Sequence, residues 1–388
     1  MRILFASLPT HGHTYPVIPL ALAARDVGHD VLFATGESFH HCLAGFGLAA
    51  VPAGIGMPEA FVRAAGGTLG DRASITPERQ AELVAEAFGN VLPRANAADL
   101  RPVLERVQPD LVVYESANRG AFFAAKLAGV PGICHGIGRA GFVDNHPIGE
   151  RLQAFAAEVG VDFPIEKNRD GGDPYLDIYP ASMQDKEFLK AGNRIPLKPV
   201  PVNEPGRLPA WLAARKRDRP LVYLTLGTVF GAIPVLRQAI DGLGALDVDV
   251  LVAAGPTIDV DALTEVPDRV RVEKWVPQAE LLPQADLVVH HGGSGTTLGA
   301  LANGLPQLVL PQGADQFSNA EVVTAAGAGD QLLGGDQSAE AVTAKVNHLL
   351  TGEEYRAAAK AVATEIAAMP SPEATVAVLP EIASGAGD

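Results

Sequence analysis

The sequence predicts an α/β protein of two units, each built on a parallel sheet. Three observations lead there. Short strand-like apolar runs alternate with helix-like stretches in a βαβ rhythm, and that rhythm starts twice. A proline-rich stretch separates the two starts. The 388 residues exceed what one hydrophobic core usually organises.

In the first half, "RILFASL" reads as a strand, "PVIPLALAARDVG" as a helix and "DVLFATG" as the next strand. "PDLVVYES", "NRGAFFAAKLAG" and "VPGICHG" repeat the sequence of strand, helix and strand. Long irregular stretches at 54–80 and 137–190 interrupt the pattern, with Phe61, Phe142, Phe155, Phe163 and Tyr175 dispersed through them. Loops of that length are often functional, and aromatics in them serve equally well as anchors of surface loops. "IPLKPVPVNEPGRLPAW" then places Pro196, Pro199, Pro201, Pro205 and Pro209 where neither regular helix nor central strand can form. It reads as a linker with its boundary near Pro205, giving domains 1–205 and 206–388. The rhythm restarts with "RPLVYLTLG", the helical "VLRQAIDGLGAL" and the strands "VDVLVAAG" and "VRVEKWV". The tail, from "SAEAVTAKVNHLL" through "EIAAMPSPEATVAVLPEIA", reads as helices broken at Pro370 and Pro372, the last free to pack back on the N-terminal domain.

Apolar residues make up 47% of the chain and charged residues 19%, the profile of a globular enzyme with large buried sheets. The formal charge of -15 would repel a nucleic-acid backbone or an anionic membrane surface, while leaving room for a local pocket for one small anion. Cys42 and Cys134 are too few for a disulfide framework and read as reduced, buried thiols, which favours the cytoplasm. In "MRILFASLPTHGHTYP" polar histidines follow where a small-residue cleavage site would stand, so no signal peptide is expected. No apolar run approaches membrane-spanning length.

Ligands of parallel sheets usually sit at the carboxyl ends of the strands, so the residues after each strand carry most functional weight. In "DLVVHHGGSGTTLGALANG" the predicted strand is Leu287 to His290 and the helix begins near Thr296. The turn between them is nearly all Gly and Ser, which lets backbone amides at a helix start face an anion, most simply a diphosphate. A bare "GGSG" serves equally as a tight turn without a ligand. Gly293 and Gly295 begin a dinucleotide fingerprint with Asp315 near the expected acid, but Leu298 stands at its last glycine. No Lys occupies the turn, against a phosphate-loop NTPase. Upstream, "VEKWVPQAELL" supplies Trp275 for stacking on a base, with Val276 backbone groups and the Gln278 amide nearby; downstream, "PQGADQ" offers Asp315 and Gln316 for sugar hydroxyls. Singly, a tryptophan is usually core and an Asp-Gln pair before a helix is usually a cap.

Together, "KWVPQ", "HHGGSGTT" and "PQGADQFSNA" in this order closely resemble the nucleotide-sugar signature of inverting family 1 glycosyltransferases, of the natural-product and UDP-glucuronosyl type. The resemblance covers essentially the whole chain and is densest from Val272 to Ala320. It implies an α/β GT-B fold, two Rossmann-like doubly wound parallel-sheet domains facing a central cleft, with donor bound by the C-terminal domain and acceptor by the N-terminal one. By that carry-over Trp275 stacks on the base, His291, Gly292, Gly293, Ser294, Gly295 and Thr296 hold the diphosphate, and Asp315 with Gln316 hold the donor sugar. Gly227 and Thr228 in "TLGTVF" look like a second diphosphate contact.

Inverting transfer needs a base for the acceptor hydroxyl, and "LPTHGHTYP" offers His11 and His13 after the first strand. His13 precedes a helix expected to begin near Tyr15 or Pro16, whose end field disfavours imidazolium. Gly12, His13 and Pro16 also resemble the family's catalytic-base motif, whereas His11 reads as a hydrogen-bonded loop residue. The family commonly orients this histidine with an Asp at the end of the strand "PDLVVYE", where this chain has Glu115. No third and fourth ligand stand near the H-x-H, so no metal is expected, and the "DVD" strings at 247–249 and 259–261 are not read as metal motifs.

UDP-sugar members of the family often carry a Glu eight residues after the motif histidine, bonded to ribose hydroxyls. Here that position is Gly299, which points to a dTDP-deoxysugar donor. The expected reaction moves the sugar onto a small lipophilic aglycone, with no cofactor beyond the nucleotide sugar, no nucleic-acid partner, no membrane insertion and a monomeric or homodimeric state. The rival readings are a UDP-sugar transferase, a nucleotide-sugar epimerase or lipid glycosyltransferase of the same fold, and a non-catalytic nucleotide-sugar-binding protein.

Overall fold

The computed structural model describes residues 1–68, 75–141, 146–164, 172–190, 192–202, 206–227, 233–255, 258, 263 and 265–384. Among these, the first sheet consists of β1 (Arg2–Ala6), β2 (Asp30–Thr35), β3 (Ala49–Pro52), β4 (Leu111–Glu115), β5 (Gly132–His135), β6 (Tyr175–Asp177) and β7 (Arg194–Pro196). Its order is β3-β2-β1-β4-β5-β6-β7, with every neighbouring pair parallel. The second sheet consists of β8 (Leu221–Thr225), β9 (Asp249–Ala253), β10 (Val270–Glu273), β11 (Leu287–His290), β12 (Gln307–Val309) and β13 (Gly329–Gln331). Its order is β10-β9-β8-β11-β12-β13, again parallel throughout. Both sheets are doubly wound, and each changes its direction of strand progression once: between β1 and β4, and between β8 and β11. That switch point is where open parallel sheets bind ligands.

The central strands β4 and β8 are buried at every residue, as expected for β-branched runs covered on both faces. Pro196 ends β7 at the sheet edge, where its missing N–H costs no ladder bond. Two compact units result, one of Met1–Lys198 with Pro370–Asp388 and one of Pro199–Met369. Pro205, the expected boundary residue, lies outside the described residues. The Lys198 amide donates to the Pro370 carbonyl at 2.7 Å where the chain rejoins the first unit.

Several local expectations are corrected. The stretches read as irregular contain the helices Met57–Ala64 and His146–Val159 and the strand β6, and the helix Pro77–Glu86 begins in the first of them. Gly56 starts Met57–Ala64 and Thr76 starts Pro77–Glu86, each followed by a proline in the first turn, and the Thr76 hydroxyl accepts from the Arg79 amide. Phe155, Phe163 and Tyr175 are core residues: Phe163 meets Phe122 edge-on at 5.3 Å and Phe155 meets Phe123 at 4.8 Å. Phe142 and the second "DVD" lie outside the described residues. In the first "DVD", Asp247 pairs with Arg219 and Arg269 and Asp249 with Arg215. Cys134 is buried, but Cys42 is only half-buried, with its Sγ 3.6 Å from the Tyr15 hydroxyl. The tail breaks at Pro370, whereas Pro372 opens the next helix, because a proline's missing N–H is harmless in a first turn.

Candidate active site

At the switch point of the first sheet, the loop after β1 and the end of β4 bring His13 and Glu115 together. Glu115 is fully buried, and a carboxylate so placed needs donors. It has three: the Leu8 amide at 3.2 Å and His13 Nδ1 at 3.0 Å on Oε1, and the Ala117 amide at 2.6 Å on Oε2. Because the carboxylate accepts, Nδ1 carries the hydrogen and Nε2 presents its lone pair. The helix does not start after His13 as expected. It begins at His11 and continues through a tighter turn at Tyr15–Val17, around Pro16, into Ile18–Asp26. His13 thus sits within the first turn of that run.

Phe88 packs against the His13 ring at 6.4 Å between centroids and 22° between planes. It comes from a π-helical turn, Ala87–Val91, between the helices Pro77–Glu86 and Leu92–Val107, a local widening frequent at functional sites. Leu8, Ala60, Leu92 and Ala117, with the half-buried Met57 and Ile137, extend this apolar wall. His11 stands apart from Glu115, edge-on to Tyr15 at 4.9 Å and Phe39 at 5.1 Å. His135, opposite Glu115 in the β4–β5 register, donates from Nδ1 to the Gly136 carbonyl at 2.7 Å. Burial pushes His135 down to about 4, against the Gly136 carbonyl and the Glu115 charge.

At the switch point of the second sheet, β11 spans Leu287–His290 as expected, and the helix begins at Ser294, slightly before the expected Thr296. The two histidines divide their work. His290 is structural: its Nε2–H donates to Gln307 Oε1 at 2.7 Å, and its Nδ1 accepts the Gly292 amide at 3.1 Å. Burial, with His291 adding to it, pushes His290 down to about 3. His291 lies between two glycines, since a Cβ on Gly227 or Gly293 would stand 2.6 or 2.5 Å from its ring. Gly227 also holds φ at +79°, a conformation side chains rarely adopt. Burial pushes His291 down to about 4, opposed by the Asp315 charge and the nearby Thr225 backbone.

Past His291, Ser294, Gly295 and Thr296 form the first turn of the helix Ser294–Ala302, whose amides no carbonyl of that helix can satisfy. The Ser294 hydroxyl donates to Asp315 Oδ2 at 2.8 Å. Asp315 makes no side-chain cap bond to the helix Gln316–Ala325 that follows it, and Gln316 Oε1 accepts the Gln312 and Gly313 amides at 2.7 and 3.0 Å, bracing the turn. Gln278 Oε1 accepts from the Thr296 hydroxyl at 3.3 Å and the Tyr223 hydroxyl at 3.4 Å. Val276 is buried, whereas Trp275 is 43% exposed and is not a core residue. Thr228 lies outside the described residues.

The sequence reading missed Phe88 and Asn319. Phe88 left no signal, because the π-turn shifts the helical register that would have aimed it. Asn319 is buried one helical turn after Asp315, and that spacing in "DQFSNA" could have marked it.

Among the described residues no group of three or more His, Cys, Asp and Glu could hold a metal ion, and no helix is long and apolar enough to cross a membrane. The family models for erythromycin biosynthesis protein CIII-like N-terminal and C-terminal domains match residues 22–227 and 237–382. L-demethylnoviosyl transferase of Streptomyces niveus is 34% identical, over 96% of both chains. Elloramycin glycosyltransferase of Streptomyces olivaceus is 33% identical, over 96% of this chain and 95% of its own. The solved spinosyn rhamnosyltransferase superposes with a TM-score of 0.79 at 28% identity in its complex with thymidine diphosphate, and 0.77 at 29% with spinosyn aglycone, each over 98% of this chain and all of its own. Matched in both halves and along nearly its whole length, the chain belongs to the erythromycin biosynthesis protein CIII-like family and is a GT-B natural-product glycosyltransferase of family 1.

Proposed function

We propose that this enzyme transfers a deoxysugar from a dTDP-sugar to a hydroxyl of a lipophilic natural-product aglycone, with inversion and with His13 as general base. The pairing of His13 Nδ1 with the buried Glu115 carboxylate carries the reading, because it leaves Nε2 able to take a proton and keeps a negative charge beside the imidazolium that forms. The acceptor hydroxyl gives its proton to Nε2 as its oxygen bonds to the anomeric carbon, and the bond from that carbon to the β-phosphate oxygen breaks with its electron pair going to dTDP. Attack on the face opposite the leaving group inverts the configuration. The amides of Ser294, Gly295 and Thr296 and the positive helix end take up the leaving charge, with the Gly227 turn and His291 alongside, so the scheme uses no metal. Asp315 and Gln316 hold the sugar, and Trp275, Val276 and Gln278 the base.

Two observations favour dTDP. Gly299 lacks the carboxylate that would reward a 2'-hydroxyl, and a Cβ placed there would stand 2.9 Å from Leu282 Cδ1, so the space beside it is filled. A similar enzyme has been solved with thymidine diphosphate. The apolar wall beside His13 suits a lipophilic acceptor, in keeping with the spinosyn aglycone bound by that same relative. Calorimetric titration of the protein with dTDP and with UDP, without added metal, tests the donor: tighter dTDP binding is expected, and tighter UDP binding would overturn that assignment.

A further inference from the structure

Asn319 is fully buried on the helix Gln316–Ala325, and its side-chain amide reaches three acceptors at once. Nδ2 lies 2.7 Å from the Gly292 carbonyl, 3.1 Å from Ser294 Oγ and 3.1 Å from Asp315 Oδ2. The nitrogen has two hydrogens. The Gly292 carbonyl, at the shortest distance, takes one, so the other is shared between Ser294 and Asp315. The Ser294 hydroxyl has a single hydrogen, and it is given to Asp315 Oδ2. In this arrangement Ser294 therefore has no hydrogen for a phosphate.

We propose that Asn319 is a positioning residue that relays hydrogen bonds between the diphosphate turn and the sugar-binding carboxylate. The inference rests on the donor-site reading above. When a diphosphate reaches the start of the helix Ser294–Ala302, the Ser294 hydroxyl rotates to donate to a phosphate oxygen, and Asp315 Oδ2 loses that donor. The shared hydrogen of Asn319 then passes from Ser294 Oγ to Asp315 Oδ2, with no group displaced. The carboxylate keeps a donor on Oδ2 and its orientation, leaving Oδ1 for a sugar hydroxyl. Without the amide, turning Ser294 to the phosphate would strip Asp315 of its side-chain donors, so Ser294 would stay with the carboxylate and add nothing to phosphate binding.

A double-mutant cycle on dTDP binding separates this relay from a merely structural role. By calorimetry, Ser294→Ala is expected to weaken dTDP binding about tenfold in the wild-type background, the scale of one hydrogen bond to a charged group, and less than about twofold in Asn319→Ala. Asn319→Leu, close in size and without any donor, should behave like Asn319→Ala and serves in its place if the alanine variant does not fold. Equal cost of Ser294→Ala in both backgrounds would overturn the relay while leaving the donor site standing. Failure of the wild-type protein to bind dTDP would overturn the donor-site reading, and the relay with it.

Discussion

His13 Nδ1 and Glu115 Oε1 stand 3.0 Å apart, and the carboxylate is wholly enclosed. Family members commonly have an aspartate at the end of this strand. Here the longer side chain accepts the Leu8 and Ala117 amides as well as the imidazole, so it is tied down at three points. In this chain the glutamate thus reaches His13 at hydrogen-bond distance.

Glu115→Gln should therefore fail despite its matching shape. An amide presents hydrogens on one side, facing either Ala117 N–H or the His13 and Leu8 donors, and it carries no charge to stabilise imidazolium. A fall in kcat on the order of 10²-fold or more is expected, with dTDP affinity unchanged. Steady-state kinetics beside calorimetric titration checks both. Equal kcat in the variant would remove Glu115 from the mechanism.

Gly227→Ala places a methyl group 2.6 Å from the His291 ring on backbone with φ +79°. The ring has little room to retreat, with Gly293 packed against it as well. Destabilisation of about 1–3 kcal/mol is expected, together with weaker dTDP binding. Thermal unfolding and calorimetry measure the two effects; a variant unchanged in both would contradict the packing described for His291.

Three buried rings set an acid limit. His135 and His291 are held at about 4 and His290 at about 3, all below the ordinary value of 6.5, because burial disfavours their charged forms. Between these values and 6.5 the unfolded chain binds more protons, so stability is complete above 6.5 and is lost as pH falls towards 3. At pH 5 the loss is on the order of 2 kcal/mol per ring. Urea unfolding at pH 7 and pH 5 should give a lower midpoint at pH 5; an unchanged or higher one would contradict these environments.

The repeated βαβ rhythm was legible because central parallel strands such as "LVVYE" and "LVYLT" are apolar up to their last residue and lie between clear turns. The short strands β3, β6 and β7, at or next to the sheet edges, were not, being three or four residues long with weak or no alternation. Helices such as Met57–Ala64 were hidden by flanking glycines and prolines. In the site, His13, Glu115 and the turn His291–Thr296 stood out because they lie at the ends of strands or in the segments that follow them. The bonds that organise them did not, since the reach of Asn319 to Gly292 depends on how two helices come together after β11 and β12. The sequence also marked Asp315 and Gln316 without separating their bonds: one meets Ser294 and the other braces residues 312–313.

Phe88, with its ring on His13, gives a separate test of the apolar wall. Phe88→Ala should raise the acceptor KM about tenfold, in line with the loss of a large half-buried aromatic face, and leave dTDP affinity as it is. Phe88→Tyr should restore most of the effect. Acceptor kinetics unchanged in the alanine variant would remove Phe88 from acceptor binding.

His13→Ala tests the central claim most directly. With a dTDP-deoxysugar and an accepted aglycone, transfer measured in a single turnover is expected to fall by about 10²–10⁴-fold, the usual contribution of a general base, while calorimetric dTDP affinity stays at the wild-type value. Transfer at the wild-type rate in the folded variant would contradict the account.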